Sequence, residues 1–148
     1  MSSHQQLPLS ATHLVRDNCL CLHVQRAARG LARRFDDAFR PLDLTHVQFS
    51  LLMSLNRPEP PTIGSVAALL AMDRTTLTAV LKPLERRRLV KVSVDKEDKR
   101  SRRLTITASG RSRLAKAFPR WRETHAAVDQ LVADFHPDDL RTALRALS

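Results

Sequence analysis

The chain has 148 residues, room for one ordinary domain, and its 43% apolar content is enough to build a core. Twenty-five Lys and Arg against 15 Asp and Glu leave a formal charge of +10, which favours an acidic partner. Three glycines cannot write a dinucleotide-binding or phosphate-cradling loop. The first eighteen residues carry no basic leader before an apolar core, and no later uncharged apolar run reaches ~18 residues, so a soluble, untargeted chain is expected.

From Leu14 to Ala38 the positions Leu14, Cys21, Val24, Ala28, Leu31, Phe35 and Ala38 recur at steps of three and four, with Asp17 as the polar exception. The spacing predicts one long amphipathic helix that stops where Pro41 forbids continuation. Thr45-His46-Val47-Gln48 has the form of a capping box and should open a second helix running to about Leu55. Asn56 to Pro61 holds three prolines and must be a loop.

Thr62 then caps a short helix with Ile63, Val66, Ala67 and Leu70 on one face. Asp73 caps another, with Leu77, Val80, Leu81 and Leu84 inward. The two should meet at a tight turn near Ala71-Met72. After Leu89 the period changes to two: Val90, Val92 and Val94, then a charged stretch, then Leu104 and Ile106, which reads as a β-hairpin with a basic tip. Beyond it, Leu114, Phe118, Trp121, His125, Val128, Val132 and Phe135 keep a heptad-like spacing through Pro119, where a kink is expected. A last helix begins at Pro137.

Residues 73–113 hold thirteen basic and five acidic side chains, so most of the excess charge sits on the second short helix and the hairpin. Helix, tight turn, helix and basic hairpin follow one another as in a winged helix-turn-helix, whose second helix enters the major groove. With the leucines inward, that helix presents Arg74, Thr75, Thr78 and Lys82, and Thr76 lies in its first turn. Arginine suits the O6/N7 edge of guanine, and threonine offers a hydroxyl and a methyl. In the hairpin, Lys96, Lys99, Arg100, Arg102 and Arg103 are the candidate backbone or minor-groove contacts.

The segments LTHVQFSLL at 44–52, AMDRTTLTAVLKPLERRRLV at 71–90, DKEDKR at 95–100 and LTITASGRSRL at 104–114 resemble the MarR family of bacterial transcription regulators. The resemblance implies a mainly α fold with a small β-hairpin wing: a single domain over 1–148, with a winged helix-turn-helix over 44–107 and a helical dimerisation region over 11–40 and 109–148. It implies a homodimer on a pseudo-palindromic double-stranded operator, in most members a repressor released by a small-molecule effector. It makes Arg100 the wing-tip arginine and Asp98 the carboxylate that orients it. Two departures stand out. Arg88 occupies the position after the recognition helix where the family usually has glycine, and Pro83 lies inside that helix.

Asp17 to Leu22 is similar to the segment around the sensing cysteine of the organic-hydroperoxide-responsive branch, which places a possible redox sensor at Cys21. That branch has tyrosines near its thiol and this chain has none, while Cys21 also fits the apolar stripe as a small buried hydrophobe. Two cysteines at i and i+2 of a helix point apart, so a disulfide within one chain is not expected. Six histidines without ligand spacing imply no metal, and no cofactor is expected. Free thiols suit a reducing cytoplasm. Two alternatives to a regulator remain: an architectural nucleoid-type protein without an effector, and, more remotely, a thiol-dependent redox enzyme.

Overall fold

The computed structural model describes residues 6–148; His4 lies outside the described residues. The chain divides into one unit up to Arg34 and another from Phe35 to the end. Its helices are α1 (Leu9–Asn18), α2 (Leu20–Phe39), α3 (His46–Ser54), α4 (Ile63–Leu69), α5 (Arg74–Arg86), α6 (Ala108–Leu131) and α7 (Pro137–Arg145). Strands β1 (Val90–Val94) and β2 (Arg102–Ile106) lie between α5 and α6.

The first unit differs from the expected single helix, since α1 and α2 are separated at Cys19, whose backbone is extended with ψ 108°. The Asn18 side-chain amide donates to the Leu14 carbonyl (3.0 Å), a local bond of the kind that competes with helix continuation. Cys19 then serves the start of α2, its Sγ accepting from the Leu22 amide at 3.5 Å.

In the second unit the predicted caps are present. Thr45 and Gln48 bond reciprocally (3.2 and 3.1 Å), and Thr62 and Asp73 accept from the Ser65 and Thr76 amides at 3.1 and 2.7 Å. One apolar cluster joins these helices to the hairpin and to α6. It contains Phe39, Phe49, Leu51 and Leu52, then Leu77, Leu81 and Leu84, then Leu104 and Leu114. Phe39 and Phe49 stack with ring centres 4.5 Å apart. The hairpin is antiparallel, in register from Val90 opposite Ile106 to Val94 opposite Arg102.

Thr107 joins the hairpin to α6. Its hydroxyl donates to the Arg88 carbonyl (2.7 Å) and accepts from the Gly110 amide (3.0 Å). A Cβ at Gly110 would lie 2.2 Å from the Leu89 carbonyl oxygen, so this glycine is required by close approach, not by an unusual backbone angle. The helix α6 runs through Pro119 without a break and ends at Leu131, so Val132 and Phe135 of the predicted stripe fall beyond it. His136 precedes a proline and is excluded from helical geometry, which makes the chain turn before α7.

Three helical segments end in a left-handed residue that is not glycine: Asp43, Ala71 and Arg88, with φ between 51° and 57°. After α5, the Arg88 amide bonds to Glu85 and the Leu89 amide to Leu84 (both 2.9 Å), the paired bonds of a Schellman end. Leu84 and Leu89 are both buried there. This end carries the left-handed penalty of a side-chain-bearing residue, so Arg88→Gly should stabilise the fold by about 1 kcal/mol. Urea unfolding should show a higher midpoint at unchanged slope; a lower midpoint would mean that the Arg88 side chain contributes more than its backbone costs.

Candidate nucleic-acid interface

Burial of Leu77, Leu81 and Leu84 turns the opposite side of α5 outward, and Arg74, Thr75, Thr78 and Lys82 are all exposed. Their side chains are not equally available. Thr76 belongs to the cap, since its amide and its hydroxyl both donate to the Asp73 carboxylate (2.7 and 2.9 Å). The Thr76 amide holds the Asp73 carboxyl below the usual carboxylate range. Thr78 donates its hydroxyl to the Arg74 carbonyl at 2.8 Å, which leaves its methyl and an acceptor lone pair outward. The Arg74 guanidinium lies near the start of α4, Nη2 being 3.7 Å from where a Cβ on Gly64 would sit.

The five cations of the hairpin separate into two groups. Among the described residues, Lys96, Lys99 and Arg100 make no side-chain hydrogen bond and are exposed. Arg102 folds back onto the tip, donating to the Lys99 and Ser101 carbonyls (3.1 and 3.3 Å). Arg103 donates to the Pro60 carbonyl at 2.8 Å and to Asp95 at 3.4 Å. That bond lowers the Asp95 carboxyl from its ordinary value.

Asp98 meets Arg100 at the backbone: its Oδ1 accepts the Arg100 amide (3.0 Å), and its carbonyl accepts the Ser101 amide (2.9 Å). The carboxylate shapes the turn and leaves the guanidinium unpaired. Arg87, also basic in sequence, donates to the Asp43 carbonyl at 2.7 Å and ties the end of α5 to the turn before α3.

A profile of the MarR family matches residues 44–101, the stretch from Leu44 through the wing tip. The crystal structure of the M. tuberculosis transcriptional regulator MosR in complex with DNA superposes with a TM-score of 0.80 at 37% identity, covering 88% of this chain and 93% of that one. The chain belongs to the MarR family. It is also 30% identical over 93 residues to the HTH-type transcriptional regulator SarZ of Staphylococcus haemolyticus, spanning 63% of each chain. With the organic hydroperoxide resistance transcriptional regulator of Bacillus subtilis it shares 28% over 98 residues, 66% of this chain and 67% of that one. These homologues and structural neighbours are transcriptional regulators, not enzymes.

Two further features of this MarR-family chain lie apart from the α5 face and the wing tip. Cys21, which the apolar stripe placed inside, is exposed in the single chain, whereas Cys19 is half-buried; both are free thiols. The second feature has only a weak signal in sequence. An apolar cleft of about 470 Å³ is lined by Phe49, Met53, Leu69, Leu70, Phe118 and Trp121, with the hydroxyls of Ser50 and Ser54 in its wall. Leu69 is 69% exposed although it follows the stripe residues Val66 and Ala67, and an apolar residue out of phase is what could have pointed there.

His125 stacks on Trp121 at 4.7 Å, and its Nδ1 lies 3.6 Å from the Asp129 carboxylate, which is bonded in turn by Arg141 at 2.6 Å. Among the described residues no cluster of three or more His, Cys, Asp or Glu could hold a metal ion. No single helix among them is long and apolar enough to cross a membrane.

Proposed function

We propose that this chain is a homodimeric, sequence-specific DNA-binding regulator of transcription in the cytoplasm, acting as a repressor that a small molecule releases. The observation that carries the reading is the pairing of an outward α5 face (Arg74, Thr75, Thr78, Lys82) with a wing tip whose Lys96, Lys99 and Arg100 have no side-chain partner among the described residues. The first can read base edges in the major groove; the second can meet phosphates or the adjacent minor groove. The DNA-bound state of MosR supports the same assignment. In this proposal residues 44–107 bind the duplex, and 11–40 with 109–148 form the dimer.

The test begins with duplexes selected by the wild-type protein from a random library. A regulator should prefer its selected operator by about 10³- to 10⁷-fold over random DNA, and an architectural protein should not. Affinity should fall by about 10³- to 10⁵-fold between roughly 50 and 200 mM salt if about 6–10 phosphates are neutralised. Arg74→Ala should lose discrimination among operator variants, whereas Lys99→Ala should weaken all duplexes alike and lower the salt slope by about one per contact. An unchanged ranking of variants in Arg74→Ala would remove Arg74 from the reading face.

Dimerisation is supported by apolar side chains that the single chain leaves in water. At its carboxyl end Leu131, Phe135, Leu140, Leu144 and Leu147 are exposed, and in the first unit so are Leu9, Leu14, Val15 and Leu20. Sedimentation equilibrium should give a dimer at micromolar concentration, with loss of folded protein on dilution. A folded monomer there would dismiss the two-half-site geometry.

The cleft beside Trp121 is the proposed effector site, because its volume falls in the range of small-molecule pockets and its lining is apolar with two hydroxyls. Trp121 is the only tryptophan, so its fluorescence should change with any ligand that occupies the cleft and releases the operator. The exposure of Cys21 favours a second reading, control by oxidation. Release by an organic hydroperoxide, lost in Cys21→Ser and kept in Cys19→Ser, would assign control to that thiol in place of the cleft.

A further inference from the structure

Arg103 follows Arg102 on β2, in a run of cations that a sequence offers to phosphate, yet its guanidinium is bound on two sides. Nη1 donates to the Pro60 carbonyl (2.8 Å) in the proline loop before α4, and Nη2 reaches Asp95 Oδ2 (3.4 Å) just after β1. Two backbone links run beside this contact. The Leu104 amide bonds to the Pro61 carbonyl at 2.9 Å, and Thr62, the cap of α4, bridges to Arg103.

Asp95 is the more enclosed partner, its side chain 12% exposed against 37% for Arg103. Its other oxygen lies 3.4 Å from the Glu97 amide, at the entrance of the tip turn. One guanidinium therefore joins the loop that leads into the helix pair to the carboxylate at the base of the wing tip. Guanidinium suits this position because its donors sit in a rigid fork, whereas an ammonium on a flexible stem holds two acceptors at no fixed angle.

We infer that Arg103 is a positioning residue for duplex binding: through Pro60 and Asp95 it fixes the wing relative to α4 and α5, and it makes no phosphate contact of its own. The inference rests on the DNA-binding reading above and deepens it. A recognition helix and a wing tip add their binding energies only when both engage at once, so angular play between them costs affinity without removing any contact. Asp95 shares the role, although a carboxylate near DNA would otherwise oppose binding.

The experiment uses the full-length protein, the operator duplex recovered by wild-type selection and a random duplex of equal length. Arg103→Met, Arg103→Lys and Asp95→Asn are each titrated across a salt series, with thermal melts to verify folding. Each variant should bind the operator about tenfold more weakly, the equivalent of one lost charge-assisted hydrogen bond, with the salt slope of the wild type. The double variant Arg103→Met with Asp95→Asn should be no weaker than either single one, since both changes break the same link.

Wild-type affinity in Arg103→Lys, or a salt slope lowered by about one per subunit in Arg103→Met, would make Arg103 a phosphate contact and overturn the inference. Tighter binding in Asp95→Asn would do the same. If Arg103→Met fails to fold, the Lys and Asn variants decide the matter, because they conserve size and most packing. A wild-type protein that enriches no duplex would overturn the DNA-binding reading itself, a result distinct from any of these.

Discussion

Burial of Leu77, Leu81 and Leu84 is the constraint on which the remaining geometry depends. These side chains share the apolar cluster with Leu51 and Leu52 of α3, Val66 of α4, Leu104 of the hairpin and Leu114 of α6. Each fully buried leucine contributes about 1.5–3 kcal/mol relative to exposure, more than any single surface charge can offer. Once that face is fixed inward, helical periodicity leaves Arg74, Thr75, Thr78 and Lys82 no choice but the outside. The proposed reading face is set by what α5 hides.

The same cluster holds two of the left-handed helix ends, at Arg88 and Ala71, in place without glycine. A left-handed residue with a side chain is unfavourable by about 1–2 kcal/mol, yet Arg88 stands between Leu84 and Leu89, both buried, and its carbonyl receives the Thr107 hydroxyl. Burial on either side and a hydrogen bond from the start of α6 together exceed the local cost. Ala71 is held in the same way, with the Met72 amide on the Ala67 carbonyl at 2.9 Å and Val66 and Ala67 in the core. Strain at these turns offsets part of the packing energy.

Much of this was legible in the sequence because it is local. Thr45 with Gln48, Thr62 and Asp73 announce helix starts within one turn of themselves, and the alternation around Val92 and Leu104 gives the hairpin. What was not legible depends on partners distant in the chain or on competition within one turn. The break at Cys19 coincides with a side-chain amide bonded to a carbonyl four residues back, close to Asp17, where the apolar spacing has a single polar exception and then resumes. Asp98 looks in sequence like a partner for the Arg100 charge, but its oxygen is taken by the Arg100 backbone amide, a choice that turn geometry makes and composition does not record. Arg103 cannot be told from Arg102 or Lys99 until Pro60, 43 positions earlier, is brought beside it.

That last distinction separates two quantities that a count of lysines and arginines merges. A guanidinium that donates to carbonyl oxygens, as Arg102 does through Nη1, has committed part of its donor set but kept its charge, so it still contributes to the field that attracts a polyanion. A guanidinium beside a carboxylate, as Arg103 is beside Asp95, adds little to the far field, because at distances beyond the pair the two charges nearly cancel. At the tip, then, Lys96, Lys99, Arg100 and Arg102 act against Glu97 and Asp98 in the long-range field, while Lys96, Lys99 and Arg100 make no side-chain hydrogen bond among the described residues. Screening over about 8 Å at physiological salt leaves the field effective only in the final approach. In the proposed complex, attraction over that distance and hydrogen bonding at contact would therefore fall to overlapping but different sets of residues, and a wing of the same net charge with Asp95 and Arg103 unpaired would have a similar far field but a different set of contacts.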